Sequence, residues 1–304
     1  MSAFYITIHA KTVIHAGYLF DADTASLDPE MTIVVEKNII SEVLAGYISP
    51  ETDDLYIDLT GYYILPGLID MHVHLTSQSS SKAYIERTTL NSADYAIRAT
   101  KNAEKTLLAG FTSVRNLGDA DSITISLRNA INKGVTFGPR IFSSGTTIST
   151  TGGHGDPTNS LNLTFTSDPG PKEGVINGKE DAYKAVRHRY KQDADLIKIT
   201  ATGGVLSNAK NGQNPQMTVD EIKAIVASAK DYGFKVAAHA HGSEGIKRAT
   251  LAGVDSIEHG TLMDKEGASL MRERGTYYVP TLLAGKWVAD KALVKDYYPP
   301  FVEK

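Results

Sequence analysis

The chain contains no cysteine, which excludes disulfides, thiolate metal sites and a cysteine nucleophile. That absence leaves the compartment open, because a cysteine-free chain folds in reducing or oxidising surroundings alike. Neither sign of charge dominates: 31 Lys and Arg against 35 Asp and Glu give a formal net charge of −4. There is no basic excess of the kind that draws nucleic acid or an anionic membrane, so neither is expected as a partner. No apolar run approaches the roughly 18 residues needed to cross a bilayer. The stretch Met1–Gly17 alternates apolar and polar residues instead of placing a basic segment before an apolar one, so it reads as a strand. With no signal peptide in this numbering, a cytoplasmic location is favoured, although a leader removed upstream would leave secretion open. What is present is ordinary for a globular protein with a sizeable core: 304 residues, 41% hydrophobic and 22% charged.

Two grammars divide the chain. The first 65 residues are β-rich, with short Ile-, Val- and Tyr-rich runs at Phe4–His9, Thr12–Ala16, Met31–Glu36, Ile39–Leu44 and Leu55–Leu59. Glu36-Lys37-Asn38 resembles a hairpin turn between two of them. After Leu65-Pro66-Gly67, short apolar strands alternate with helix-length amphipathic segments. The strand candidates are Leu68–Leu75, Thr112–Leu117, Arg140–Ser144, Leu196–Thr200, Lys235–His239, Ser256–His259 and Tyr277–Leu282. Helices are expected at Ala93–Ala109, Ser122–Lys133, Asp181–Gln192 and Val219–Tyr232, the last opened by a capping box from Thr218 to Glu221. Gly110, Gly134, Gly233, Gly253 and Gly275 stand where helices would end.

This alternation is that of an α/β protein with a parallel sheet, closed as a barrel or open and doubly wound. An open dinucleotide-binding sheet places a glycine-rich phosphate turn after its first strand. Here that strand ends in Met71-His72-Val73-His74-Leu75, and Gly152-Gly153 and Gly203-Gly204 lack a nucleotide fingerprint's spacing. The closed barrel is favoured.

Residues i and i+2 of a strand point the same way, so His72 and His74 present two imidazoles on one face. They lie near the strand's C-terminal end, where barrel active sites sit. His239 and His259 end two later strands, and Lys198 lies among aliphatics in Leu196-Ile197-Lys198-Ile199-Thr200. An unpaired ammonium there is costly to bury, and desolvation lowers its pKa. The neutral amine can take up carbon dioxide as a carbamate, an anionic oxygen ligand able to bridge two cations; a lysine paired with a carboxylate is the alternative.

With Leu65-Pro66-Gly67-Leu68-Ile69-Asp70 ahead of His72-Val73-His74, then Lys198, His239 and His259, the sequence resembles the amidohydrolase superfamily in order and context. It is most similar to the bacterial Xaa-Pro dipeptidase-like group. The segments that narrow it are Thr151-Gly152-Gly153-His154-Gly155-Asp156-Pro157 and Val236-Ala237-Ala238-His239-Ala240-His241-Gly242, supported by Ala109–Arg115 and Thr202–Ser207. The resemblance runs from about residue 5 to the last residue. It implies a (β/α)8 barrel over 66–304 and a small composite β-sandwich to which 1–65 contribute.

It also implies two divalent metal ions, zinc being the natural choice for imidazole and carboxylate ligands. One would take His72 and His74, the other His239 and His259, with carboxylated Lys198 as the bridge. A hydroxide held between the metals would attack the carbonyl of a small amide substrate. His154 is expected either to contact a substrate carboxylate or carbonyl or to stabilise its loop. His241 shares a face with His239 and is expected to be a metal neighbour, a substrate donor or a ligand-supporting residue. Asp70 would orient His72 or bond to backbone, and His9, His15 and His188 are expected at the surface.

The family's aspartate general base, which ends the eighth strand, has no counterpart here. Residues 67 to 304 number 238, below the roughly 250 of a typical barrel, so strand eight is expected to be missing and the chain to be a fragment. The expected activity is hydrolysis of an amide beside a free carboxylate, as in a dipeptide ending in proline. Alternatives are another C-terminal amino acid, an N-acyl amino acid of the ochratoxin type, or a catalytically silent amidohydrolase-like scaffold. A homo-oligomer is expected for the full-length form.

Overall fold

The computed structural model describes residues 10–207 and 211–299, and the strand expected at Phe4–His9 lies outside them. Two compact units divide the chain, Met1–Gly67 and Leu68–Lys304.

In the first unit, β1 (Thr12–Asp21), β2 (Ser26–Glu36), β3 (Ile39–Ala45) and β4 (Leu55–Ile64) form one sheet in the order β3-β2-β1-β4. β2 and β3 pair antiparallel across the hairpin turn expected at Glu36-Lys37-Asn38; Glu36 itself pairs with Ile39, and Lys37 is in a left-handed conformation. β1 pairs antiparallel with β2 and parallel with β4. His15 corrects the surface expectation: it is buried, its Nε2 against Ile48 O at 2.8 Å and its Nδ1 against the Tyr56 hydroxyl at 3.0 Å. It lies on β1, in register between two neighbouring strands, and its apolar ring stacks on Tyr47. Period-2 patterning alone does not reveal that shelter. His188 is half-buried and His9 lies outside the described residues.

The second unit interleaves strands and helices: β5 (Leu68–Val73), α1 (Ala83–Thr89), α2 (Ser92–Leu108), β6 (Phe111–Asn116), α3 (Ile123–Asn132), β7 (Arg140–Ser143), β8 (Ser149–Thr150), β9 (Val175–Ile176) and α4 (Lys179–Lys191). It continues with β10 (Ile197–Thr200), α5 (Val219–Asp231), β11 (Val236–Gly242), α6 (Ser243–Ala252), β12 (Ser256–Leu262), α7 (Lys265–Arg274), β13 (Tyr277–Val279) and α8 (Leu282–Ala292). The seven strand candidates correspond to β5, β6, β7, β10, β11, β12 and β13. β5-β6-β7 and β10-β11-β12-β13 are each all-parallel sheets. Beyond β7 the chain runs beside β10, where Ile148 pairs parallel with Ile199.

Strands buried on both faces carry continuous apolar runs. β10 is buried at every position, and Ile197, Ile199, Ile148, Ile225 and Ile257 belong to one core cluster with α4, α5 and α6 packed on it. Truncating Ile199 to alanine there should cost roughly 2–5 kcal/mol. The Thr218–Glu221 capping box opens α5, and the helix-end glycines Gly253 and Gly275 adopt the left-handed conformation that terminates α6 and α7. Among the described residues, no helix is long and apolar enough to cross a membrane.

Candidate metal centre

Six histidines converge at the C-terminal ends of the parallel strands. The rings of His72 and His74, at and just beyond the end of β5, lie 5.3 Å apart between centroids. His259 stands 4.8 Å from His72 and 4.7 Å from His239. His241 lies 4.6 Å from His239 and 5.0 Å from His259, and His154 stacks on His239 at 4.2 Å. All five imidazoles singled out by strand position or by the His-Ala-His segment are thus brought together, and the Gly-Gly-His loop adds the sixth.

β12 carries Glu258 toward His72, so simple alternation would turn the next residue, His259, away. The backbone of His259 is left-handed instead, with φ +71°, and this swings the ring back into the cluster. Such a conformation costs of order 1–3 kcal/mol in a non-glycine residue and persists only where neighbours enforce it. Two neighbours do so here: Nδ1 of His259 lies 2.7 Å from Thr281 Oγ1, and the Tyr278 hydroxyl donates to His259 O at 3.0 Å.

Three anchors fix tautomers. Nδ1–H of His72 donates to Glu258 Oε2, Nδ1–H of His74 to Gly118 O, and Nε2–H of His239 to Gly203 O, each at 3.0 Å. The acceptors are a carboxylate and two carbonyls, so these ring nitrogens must carry the proton. The lone pairs left free are Nε2 of His72, Nε2 of His74 and Nδ1 of His239. His241 and His259 lean on the hydroxyls of Thr261 and Thr281, which can act as donor or acceptor. His154 differs: its backbone N–H donates to Gln216 Oε1, but its ring makes no hydrogen bond among the described residues, and Nδ1 is buried without a partner. The ring fits only because residue 204 is glycine; a Cβ there would stand 2.2 Å from His154 Cε1.

Desolvation is the first cause holding every one of these imidazoles below the ordinary histidine pKa. His74 and His154 are pushed down to about 4. The charge of Lys198 adds to the lowering at all six. Lys198 itself is 3% exposed, and burial lowers it to about 8, with Glu258 opposing and Arg115 assisting the shift. It has no ion pair within 4.0 Å among the described residues.

Glu258, fully buried, accepts from Arg115 Nη2 at 2.6 Å, from Ser256 Oγ at 2.6 Å and from His72. Arg115 Nε also donates to Met71 O at 2.7 Å, beside His72. Strand patterning alone gives Glu258 and Arg115 no role. The signal was available: Glu258, like Lys198, is a charge within an apolar strand. Asp70 proves to serve its own backbone, accepting from His72 N at 3.0 Å.

The donor chemistry fits a divalent metal. His239, His241 and His259 offer ligand atoms all within 4.8 Å of one another, a triad that could hold an ion. Their neutral rings and the free lone pairs described above suit borderline cations such as zinc.

Over residues 63–296 the sequence matches the model of the amidohydrolase family. Ochratoxinase of Aspergillus niger is 31% identical over 290 residues, a match spanning 89% of this chain. That match takes in 58% of the ochratoxinase, so this chain spans less than two thirds of that relative's length. A solved Xaa-Pro dipeptidase with methionine bound in its active site is similar at a TM-score of 0.92 and 52% identity, over 97% of this chain and 72% of that one. A prolidase complexed with N-methylphosphonate-L-proline is similar at 0.86 and 34% identity, over 97% and 71%.

Proposed function

The chain belongs to the amidohydrolase family, and from that premise we propose that it is a metal-dependent hydrolase of an amide adjoining a free carboxylate, as in an Xaa-Pro dipeptide. The observation that carries this reading is the tautomer pattern: His72, His74 and His239 each donate one ring N–H to a fixed protein acceptor and keep the other nitrogen free around Lys198. Outer acceptors of this kind orient imidazoles toward a metal and raise their basicity.

In this reading two divalent ions, zinc by preference, are held by His72 and His74 on one side and His239 and His259 on the other. Lys198 is the bridge. With a pKa near 8, a substantial fraction of its amine is neutral at slightly alkaline pH. Nucleophilic nitrogen can then bond to the carbon of carbon dioxide with loss of one proton, leaving an anionic carbamate. The bound ions supply Lewis acidity, which acidifies water and polarises a carbonyl. The chain's own residues orient the partners: Glu258 holds the ring of His72, and His154 and His241 meet the substrate. β5 to β7 and β10 to β13 would be strands of a (β/α)8 barrel within 66–304, with residues 1–65 part of a composite β-sandwich.

Likeness to the Xaa-Pro dipeptidase supports a dipeptide substrate, and likeness to ochratoxinase supports an N-acyl amino acid worked on by the same machinery. A second ligand set is favoured by one observation, the mutual approach of His239, His241 and His259. There His241 is a ligand and not a substrate contact. Metal analysis of the purified protein, paired with a library of dipeptides and N-acyl amino acids, tests the proposal. Two equivalents of metal are expected, and whatever turnover the chain supports should be chelator-sensitive; a rate that survives exhaustive chelation overturns it. His241→Ala separates the ligand sets: unchanged metal content with lost turnover favours the first, lost metal the second.

A further inference from the structure

A cavity of about 230 Å³ opens beside the imidazole cluster, with His154 on one wall. Arg87 of α1, Asn159, Ser160, Leu206 and Ser207 complete most of its lining. Its size suits an amino-acid-sized group better than a drug-sized one. Asp156 also lines it, but that carboxylate is taken up within its own loop: Oδ1 accepts from Thr158 N and Oγ1, and Oδ2 from Gly152 N. Glu86, the acidic neighbour of Arg87, is held by Arg98 at 2.8 Å. Arg87 itself makes one hydrogen bond, from Nη2 to Pro157 O at 3.2 Å, and has no carboxylate partner within 4.0 Å among the described residues. A guanidinium fork with most of its donors uncommitted therefore faces a cavity whose lining carries no competing free anion.

His154 lines the same cavity. His154 is the imidazole with no ring hydrogen bond, and it stacks on His239 at 4.2 Å. A molecule in this cavity meets both a cation and an unanchored hydrogen-bonding ring that stacks on a candidate metal ligand. We propose that Arg87 binds the free carboxylate of the substrate, so that this cavity is the subsite which selects amides of amino acids over amides lacking the acid. Arginine matches a carboxylate with paired N–H donors, and such charge-assisted bonds discriminate strongly against a neutral isostere. The proposal rests on the amidohydrolase reading of the histidine cluster and adds the residue that reads the carboxylate.

The test uses the metal-loaded protein and two probes, N-acetyl-L-proline and N-acetyl-L-prolinamide, titrated calorimetrically. Alongside them, kcat and KM are measured for an Xaa-Pro dipeptide and its C-terminal amide. The unmodified protein should prefer the acid by roughly 10–100-fold. Arg87→Ala should abolish that preference and raise KM for the dipeptide with kcat little changed, and Arg87→Lys should restore part of it. A preference that survives in Arg87→Ala overturns the proposal, as does an unmodified protein that binds acid and amide alike. If the acid binds in an Arg87-dependent way but no amide is cleaved, the subsite stands and the hydrolytic reading falls.

Discussion

Nδ1 of His72 lies 3.0 Å from Oε2 of Glu258, across 186 residues of sequence, and the same carboxylate holds Arg115 at 2.6 Å. One buried acid thereby ties β5, β6 and β12 together and fixes which nitrogen of His72 is free. Its removal acts twice. Glu258→Ala strands the Arg115 guanidinium, whose side chain is only 13% exposed; loss of one partner of a buried pair typically costs about 3–5 kcal/mol. It also releases the His72 tautomer, and loss of such a support commonly lowers metal affinity about 10–100-fold. Urea unfolding and metal titration report the two effects separately. Glu258→Gln should lose less stability than Glu258→Ala, because its carbonyl can still accept from Arg115. Metal affinity unchanged in both variants would leave Glu258 a purely structural acid.

Thr281 shares an uncommon backbone with the histidine it supports, φ +48° beside +71° at His259. Thr281→Gly relieves the strain at residue 281 but deletes the hydroxyl that sits on His259 Nδ1. Strain relief and the added unfolded-state freedom of glycine oppose each other, so stability should shift by less than about 1 kcal/mol. Metal affinity should still fall, by roughly tenfold, as the His259 ring loses its anchor. Thermal unfolding of the metal-free form and competitive metal titration decide it; equal affinity in the variant would show that the ring is held by packing alone.

Most of the second unit was legible in the sequence because its strands are short, apolar and bounded by glycines. Seven strands, four helices and the Thr218–Glu221 cap follow from that pattern. The positions of His72, His74, His239, His259 and Lys198 were also legible, since strand ends and an isolated strand charge are visible in one dimension. What could not be read was how each ring is held. The acceptors for His74 and His239 are backbone carbonyls of Gly118 and Gly203, which leave no side-chain signature. The turn of His259 depends on a positive φ, and strand alternation points that ring the wrong way. His15 was misread because its shelter comes from Tyr47, Tyr56 and Ile48, more than thirty residues away.

Acid should destabilise the metal-free protein before it reaches ordinary carboxylates. His72 and His239 are well buried and held below their usual pKa of 6.5, chiefly by desolvation. The unfolded chain binds protons at these sites before the folded one does. Their contribution to stability is therefore complete above about pH 6.5 and is lost as pH falls below it. Near pH 5 the loss is about 2 kcal/mol for each ring that stays neutral in the fold. Chelator-treated protein unfolded in urea at pH 7.5 and at pH 5 measures this, and a pH-independent midpoint would mean that these rings are protonated in the fold.

Lys198 gives the sharpest contrast between metal-free and metal-loaded protein. Its amine is lowered from 10.5 to about 8 by burial, so in the absence of metal it works against folding at neutral pH. The sign is that of a depressed pKa: its contribution is fully present above 10.5 and is lost as pH falls through 8. Lys198→Met fills a similar volume without a charge and should stabilise the chelator-treated protein by up to about 3 kcal/mol at pH 7. The same substitution removes the proposed bridge, so metal content should fall toward one equivalent or less. Short carboxylic acids such as acetate should restore part of that content, because they can stand in for the missing oxygens. Elemental analysis with and without acetate, set beside urea unfolding of the stripped protein, reads both halves. A variant that keeps two equivalents of metal would remove Lys198 from the site, and one that loses stability when stripped would mean the amine has a partner in the fold.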